Sequence, residues 1–144
     1  MILNAITQSL LDDPRIQSSD FLKDLCASTI AMYPNGEPEL PWAGYLAEEQ
    51  GILVGTCAYK SIPIDGEVEI AYFTFPEHEG RGVATRMVQL LVNLASQNGV
   101  VRTKAQTLPE PNASTHILEK LGFVFAGSVN HPEDGEVWEW HKKE

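Results

Sequence analysis

Gly80, Arg81 and Gly82 stand together immediately before a run of regularly spaced apolar residues. Two residues without Cβ atoms at the start of a helix let several backbone N–H groups converge on one anion. Arg81 between them offers a planar, permanently positive fork suited to phosphate. The chemistry implied is the holding of a phosphorylated ligand at a helix N-terminus. A glycine turn that opens a helix is also an ordinary strand-to-helix connection, so the segment takes its meaning from the elements around it.

Those elements are legible from pattern. Glu67–Phe75 is rich in β-branched and aromatic residues and reads as a strand leading into Pro76. After the glycines, Val83, Met87, Leu90, Leu91 and Leu94 recur at three- and four-residue spacing and predict one buried helical stripe. Gln97-Asn98-Gly99 supplies the stop, with Gly99 in the left-handed position after the helix. Val100–Thr107 reads as a further strand. A second helix follows over the segment Pro111–Phe123, with Asn112 as N-cap, Gly122 past its end, and Ala113, Ile117, Leu118 and Leu121 as its inner face.

These two segments together resemble the GNAT superfamily of acyl-CoA-dependent N-acyltransferases. The family signature Gln/Arg-x-x-Gly-x-Gly/Ala is matched by Glu79-Gly80-Arg81-Gly82-Val83-Ala84. The downstream family pattern, Asn-x-x-Ser or Ala and then a Lys-x-Gly-Phe ending, appears as Asn112-Ala113-Ser114 and Lys120-Leu121-Gly122-Phe123. The resemblance spans residues 43–142 and is nearest in motif style to ribosomal-protein N-terminal acetyltransferases; residues 1–42 match poorly. It implies an α/β (α+β) fold, with a mostly antiparallel sheet, one splayed parallel strand pair and helices on both faces. It implies acetyl-CoA as co-substrate and a small-molecule or peptide primary amine as acceptor, the amine attacking the thioester directly.

The resemblance also assigns positions. The strand 67–75 and the strand 100–107 would part to admit the pantetheine arm, with main-chain groups of Phe73, Thr74 and Phe75 pairing with it. The pyrophosphate would rest on the N–H groups of Gly80, Arg81, Gly82, Val83, Ala84 and Thr85. Glu79 departs from the Gln or Arg usual there, so its side chain does not assist a phosphate, while the main-chain cradle remains. An N–H near Thr74 or Phe75 would stabilise the oxyanion.

Glu69 is the candidate general base, placed by strand alternation with Ala71 and Phe73 and opposite Val68, Ile70 and Tyr72. A solvated strand glutamate, as expected for Glu67, is the simpler alternative. The tyrosine that many members use as general acid corresponds to Leu118, which leaves Ser114 near the sulfur, with Asn112 holding pantetheine or a water. Asn112 is equally a plain helix cap. His116 is expected at the surface. Trp138, Trp140, Tyr33, Trp42 and Tyr45 are candidates for the acceptor side or for the core.

Composition sets outer bounds. A chain of 144 residues is read as one domain, 1–144, able to bury a core of its own. A formal charge of −10 disfavours nucleic acid and anionic membrane as partners and suits a cationic acceptor or simple solubility. The N-terminus carries no basic region or long apolar run of a signal peptide, and no segment reads as a membrane helix. Cys26 and Cys57 are isolated and the four histidines lack ligand spacing, so no disulfide, metal or zinc site is expected. A cytoplasmic protein follows as the expectation, with a homodimer left open. The rivals are a CoA-binding protein without catalysis and a nucleotide-binding α/β module, the latter lacking any Gly-Lys-Ser/Thr or Gly-x-Gly-x-x-Gly string.

The remainder reads as a helix from Ser19 or Asp20 to Met32, with Phe21, Leu25, Cys26 and Ile30 inward. A hairpin of Gly44–Glu48 and Ile52–Lys60 turns at 49–51, a second turn lies at Pro63–Gly66, and a closing hairpin pairs Phe123–Val129 with Glu136–His141.

Overall fold

The computed structural model describes residues 1–143, and within them seven strands join one mixed sheet in the order β1-β2-β3-β4-β5-β7-β6. The strands are β1 (Ile2–Ala5), β2 (Gly44–Glu49), β3 (Ile52–Tyr59), β4 (Glu67–Thr74), β5 (Arg102–Thr107), β6 (Val124–His131) and β7 (Gly135–Lys143). The helices are α1 (Pro14–Gln17), α2 (Asp20–Met32), α3 (Val83–Gln97) and α4 (Ala113–Lys120). Every neighbouring pair is antiparallel except β4 with β5, as the α3 crossover requires. The expected mixed sheet with helices on both faces is what the chain forms.

Local chemistry explains the joints. Gln50 and Gly51 both take positive φ, 53° and 77°, which matches a two-residue turn to the twist of β2 and β3. Asp65 and Gly66 repeat the device before β4, with φ of 53° and 77°. Ser19 caps α2 through its Oγ, which accepts from the Leu22 N–H at 3.2 Å. Asn112 and Thr115 form a reciprocal box at the start of α4: the Asn112 side chain accepts from the Thr115 N–H and the Thr115 hydroxyl from the Asn112 N–H.

Two apolar clusters fill opposite sides of the sheet. On one side Val68, Ile70, Val83, Met87, Val88, Leu91, Val92 and Leu118 join the α3 and α4 faces to β3, β4 and β5. On the other, Ile6, Ile16, Cys26, Ile30, Leu46 and Phe75 pack under α1 and α2. Each fully buried aliphatic contributes about 1.5–3 kcal/mol of transfer free energy.

Several sequence expectations shift by phase. The α3 stripe is centred on Met87, Val88, Leu91, Val92 and Ala95, so Leu90 and Leu94 lie at its half-buried margin. Phe21 is 55% exposed, because the α2 stripe runs through Leu22, Cys26 and Ile30; its ring meets Phe75 edge-on at the border, 5.6 Å between centroids. Ala113 is exposed, and Thr115 takes the inner place beside Leu118 because the capping box satisfies its hydroxyl. The strand β1 carries no clear alternation and was not expected; pairing with β2 makes it a strand. Its edge position adds Ile6, fully buried, to the α2 side.

Candidate active site

The parallel ladder between β4 and β5 ends early. It runs from Glu67 opposite Arg102 to Ile70 opposite Ala105, while β4 continues to Thr74 and β5 to Thr107. Beyond Ile70 the strands are unzipped. Their outer edges remain held: Thr74 pairs with Gly55 of β3, and Thr107 with Trp138 of β7.

The register decides which main-chain groups face that opening. The Lys60 N–H donates to Glu69 O at 2.9 Å, and the Phe75 N–H donates to Val54 O at 3.0 Å. Odd-numbered residues of β4 therefore turn their N–H and C=O toward β3, and even-numbered ones turn theirs toward β5. Tyr72 and Thr74 are the residues whose main-chain groups open into the gap. Of the expected trio, Thr74 has this orientation; Phe73 has the parity of the β3 side, and the Phe75 N–H is already spent on Val54.

A phosphate-sized cradle lies beyond the end of β4. The chain makes a 3₁₀ turn over Pro76–His78, then passes Gly80 (φ 76°) and Gly82 (φ 77°) in the left-handed region. Gly82 is the N-cap of α3, and the first intrahelical bond runs from the Arg86 N–H to Gly82 O at 3.1 Å. The N–H groups of Val83, Ala84 and Thr85 thus have no acceptor inside the helix. Arg81 is exposed beside them, and Glu79 is exposed at the end of the 3₁₀ turn. An adjoining cleft of about 660 Å³ is bordered by Gly51, His78, Arg81, Val83 and Arg86. An extended chain carrying phosphate fits this set: unpaired strand edges for amides, then helix N–H groups for the anion.

Arg86 reinforces the wall of this cleft. Its Nε and Nη2 donate to the two oxygens of Glu49 at 2.7 and 2.8 Å, tying the β2–β3 hairpin to the first turn of α3. The pairing holds the Glu49 carboxyl below the usual carboxylate range. No sequence spacing links residues 49 and 86, so this contact is invisible before the fold is known.

Glu69 lies on the opposite sheet face, with Ala71 and Phe73, as alternation predicts. Its Oε2 is shut off from solvent and lies 2.6 Å from Lys60 Nζ, in the alignment of an ion pair and not of a directed hydrogen bond. Glu67 pairs with Arg102 at 3.0 Å and Lys104 at 3.6 Å. Lys60, Ser61, Ile64, Glu67, Glu69 and Lys104 border a second cleft of about 410 Å³. Across the sheet Glu69 stands opposite Lys104, and Lys104 opposite His141, whose Nε2 is 3.4 Å from Glu139 Oε2.

The remaining candidates divide. Asn112 spends its side-chain oxygen on the Thr115 N–H at 3.0 Å, so its cap role is real. Ser114 is half-buried in the first turn of α4 and faces the Tyr72 hydroxyl. That phenol is buried without a well-aligned hydrogen-bond partner among the described residues. Burial pushes its pKa up, and the Ser114 hydroxyl offsets part of the rise. Alternation had grouped Tyr72 with Val68 and Ile70 and gave no sign of this contact. Trp140 is core, donating from Nε1 to Thr107 Oγ1 at 3.1 Å. Tyr33 bridges Ile6 O and the Gly44 N–H, Tyr45 donates to Pro41 O, and Trp42 packs edge-on against Tyr59. His116 is exposed, as expected.

Comparison with known proteins accounts for the unzipped pair and the cradle together. A model of the acetyltransferase (GNAT) domain matches residues 6–124. The chain belongs to the GNAT acetyltransferase family. It is therefore an acetyl-CoA-dependent N-acetyltransferase, the activity that the fold and the motifs had implied. L-amino acid N-acyltransferase MnaT of Escherichia coli is 24% identical over 127 residues, covering 85% of this chain and 69% of its own length. Among solved structures, ribosomal-protein-alanine N-acetyltransferase from Brucella melitensis superposes with a TM-score of 0.71 at 15% identity, over 100% of both chains. The protein yncA from Salmonella typhimurium, solved with its cofactor acetyl-CoA, gives a TM-score of 0.63 at 18% identity over 85% of this chain and 73% of its own. Such likenesses establish the shared fold. No helix among the described residues is long and apolar enough to cross a membrane.

Proposed function

We propose that this acetyltransferase transfers the acetyl group of acetyl-CoA to the α-amine of a free amino acid or a peptide, in a cytoplasmic setting. The observation that carries the donor half is the opening between β4 and β5, which leads straight to the unpaired N–H groups of α3. The pantetheine amides pair with the even-numbered edge of β4, the pyrophosphate sits on Gly82 to Thr85 with Arg81 beside it, and the Thr74 N–H faces the developing oxyanion.

Glu69 takes the proton from the amine, directly or through one water, on the face opposite α3. It is two residues before Ala71, where the ladder has opened, so roughly 7 Å of strand separates it from the gap. The acceptor class is supported by two relatives: the Escherichia coli protein is an L-amino acid N-acyltransferase and the Brucella melitensis structure a ribosomal-protein-alanine N-acetyltransferase. Both acceptors present an α-amine. Glu67 and Glu69, which border the second cleft, suit an incoming ammonium group, with Lys60 and Lys104 interleaved for a neighbouring carboxylate or peptide carbonyl.

A thermal-unfolding scan with acetyl-CoA, CoA, ATP and NAD tests the donor site. A ligand at about a hundred times its dissociation constant adds roughly 2.7 kcal/mol, or several degrees for a chain of this size. A rise with the two CoA species alone is expected. Free-thiol release is then followed with L-amino acids, dipeptides, their N-acetylated forms and a polyamine. Turnover confined to free α-amines is the expected result; turnover with the polyamine alone overturns the acceptor assignment.

A further inference from the structure

Lys60, Arg102 and Lys104 stand around Glu67 and Glu69 on one face of the sheet, and they are not equally engaged. Lys60 Nζ lies 2.6 Å from Glu69 Oε2, and Arg102 Nη1 donates to Glu67 Oε2 at 3.0 Å. Lys104 Nζ is 3.6 Å from Glu67 Oε1, beyond hydrogen-bond length, and among the described residues this is its one ion pair. Arg102 already holds that carboxylate, so Lys104 keeps both charge and N–H donors for a closer acceptor. Its place in the sheet decides what that acceptor is. Lys104 stands opposite Glu69 across the parallel ladder, one pairing before the ladder ends at Ile70 and Ala105. The next residue on this face of β4 is Ala71, whose methyl leaves the surface low between Glu69 and the opening. An amine that reacts at the opening and faces Glu69 has its α-carbon over the seam between β4 and β5. Neighbouring strands, about 4.8 Å apart, thus set a carboxylate beside an underused ammonium. An α-amino acid carries the complementary pair of charges on a single carbon. A peptide N-terminus offers a neutral carbonyl at the same place, a weaker partner for a cation.

Resting on the α-amine reading above, we propose that Lys104 binds the α-carboxylate of the acceptor and so selects a free amino acid over the N-terminus of a peptide. Glu69 faces the amine and Lys104 the carboxylate, which fixes the acceptor at two points across the seam. Arg102 has a supporting part: by holding Glu67 it keeps that carboxylate from closing on Lys104. Lys60 stays with Glu69 on the β3 side, away from the seam.

The test compares L-amino acids with their amides and with dipeptides of the same first residue, each corrected for its fraction of free amine. Wild type should favour the free acid in kcat/KM by roughly 10- to 100-fold, the scale of one hydrogen bond to a charged group. Lys104→Gln should raise KM for the acid by about that factor, change kcat less, and bring the acid-to-amide ratio toward one. Lys104→Arg keeps the charge and should restore most of the preference. A second readout avoids turnover: calorimetric titration of the N-acetylated amino acid, which retains the carboxylate, in the presence of CoA. Its affinity should fall by a similar factor in Lys104→Gln, and in wild type it should weaken with added salt. An acid-to-amide ratio in Lys104→Gln equal to that of wild type overturns the assignment. Equal use of acids, amides and dipeptides by wild type overturns it without any variant, so misfolding of Lys104→Gln cannot shield it, and that result leaves the α-amine reading standing. Failure of wild type to turn over any α-amine would overturn that underlying reading instead.

Discussion

Ile70 of β4 stands opposite Ala105 of β5, and this is the last pairing of the only parallel ladder among the described strands. Beyond it each strand stays paired on its outer side alone. Thr74 is fixed by Gly55 of β3, and Gln106 and Thr107 by Glu139 and Trp138 of β7. Trp140 adds a hydrogen bond to Thr107 from the core. The opening is thus built into the register and needs no ligand to create it, which is the preorganisation that efficient transfer requires.

The cradle at α3 should be sensitive to a single methyl group. Gly82 has φ 77°, and a Cβ there would lie 2.9 Å from Arg86 Nη1. Gly82→Ala therefore incurs about 1–2 kcal/mol of left-handed strain and pushes the guanidinium away from Glu49. Gly80→Ala has the same backbone conformation, with no atom within 4 Å of the added carbon. Urea unfolding with and without acetyl-CoA should show both variants destabilised, and Gly82→Ala alone with a clearly smaller ligand-induced gain. Equal ligand gains in the two would remove Arg86 and the Gly82 approach from the account of binding.

Asn112 offers a separation of cap from chemistry. Loss of its side chain in Asn112→Ala should cost about 1 kcal/mol, the usual value of an N-cap. Asn112→Asp keeps the oxygen that accepts from Thr115 and should restore most of that stability. Recovery of kcat together with stability in Asn112→Asp would identify the residue as a cap whose influence on turnover is structural. Recovery of stability without kcat would mark a direct part for the amide nitrogen.

What could be read from the chain beforehand divides along a physical line. Features set within a few residues were legible: the Gly80–Gly82 turn, the Asn112 cap, the α3 period, the hairpin turns at Gly51 and Gly66, and the face that carries Glu69. Features set by register between distant strands were not. Which residues of β4 face the gap depends on the Phe75–Val54 and Lys60–Glu69 hydrogen bonds, and no local pattern encodes them. The Tyr72–Ser114 contact and the Glu49–Arg86 clasp are likewise tertiary. The strand β1 escaped because an edge strand of four residues draws its conformation from its partner.

Glu69→Gln should lower kcat by roughly 10² or more if the carboxylate accepts the amine proton, the usual scale of general-base loss. Thermal response to acetyl-CoA should be unchanged, because Glu69 faces away from α3. Stability should change little, since the Lys60 partner is 44% exposed and returns to water. The variant's activity should also recover in part as pH rises and free amine becomes abundant. A kcat equal to wild type with a known acceptor at neutral pH would assign proton removal elsewhere.

The Glu49–Arg86 clasp makes a pH-dependent prediction whose sign is fixed. Hydrogen bonding to Arg86 depresses the Glu49 pKa in the folded chain, so folding is favoured whenever that carboxylate is ionised. The contribution is fully present above the ordinary glutamate value and is lost as pH falls through the lowered folded value. Solvent screening at a partly exposed pair limits it to about 0.5–1 kcal/mol. Asp13 and Glu48, both lowered by Arg15, titrate in the same direction in wild type and variant alike. The difference between wild type and Glu49→Gln isolates the clasp. Urea unfolding at neutral pH should show the variant less stable by about that amount, and the gap should close in strong acid. A gap of the same size at every pH would mean that the side chain contributes through packing instead of charge. Added salt should narrow it at neutral pH, because both partners reach solvent.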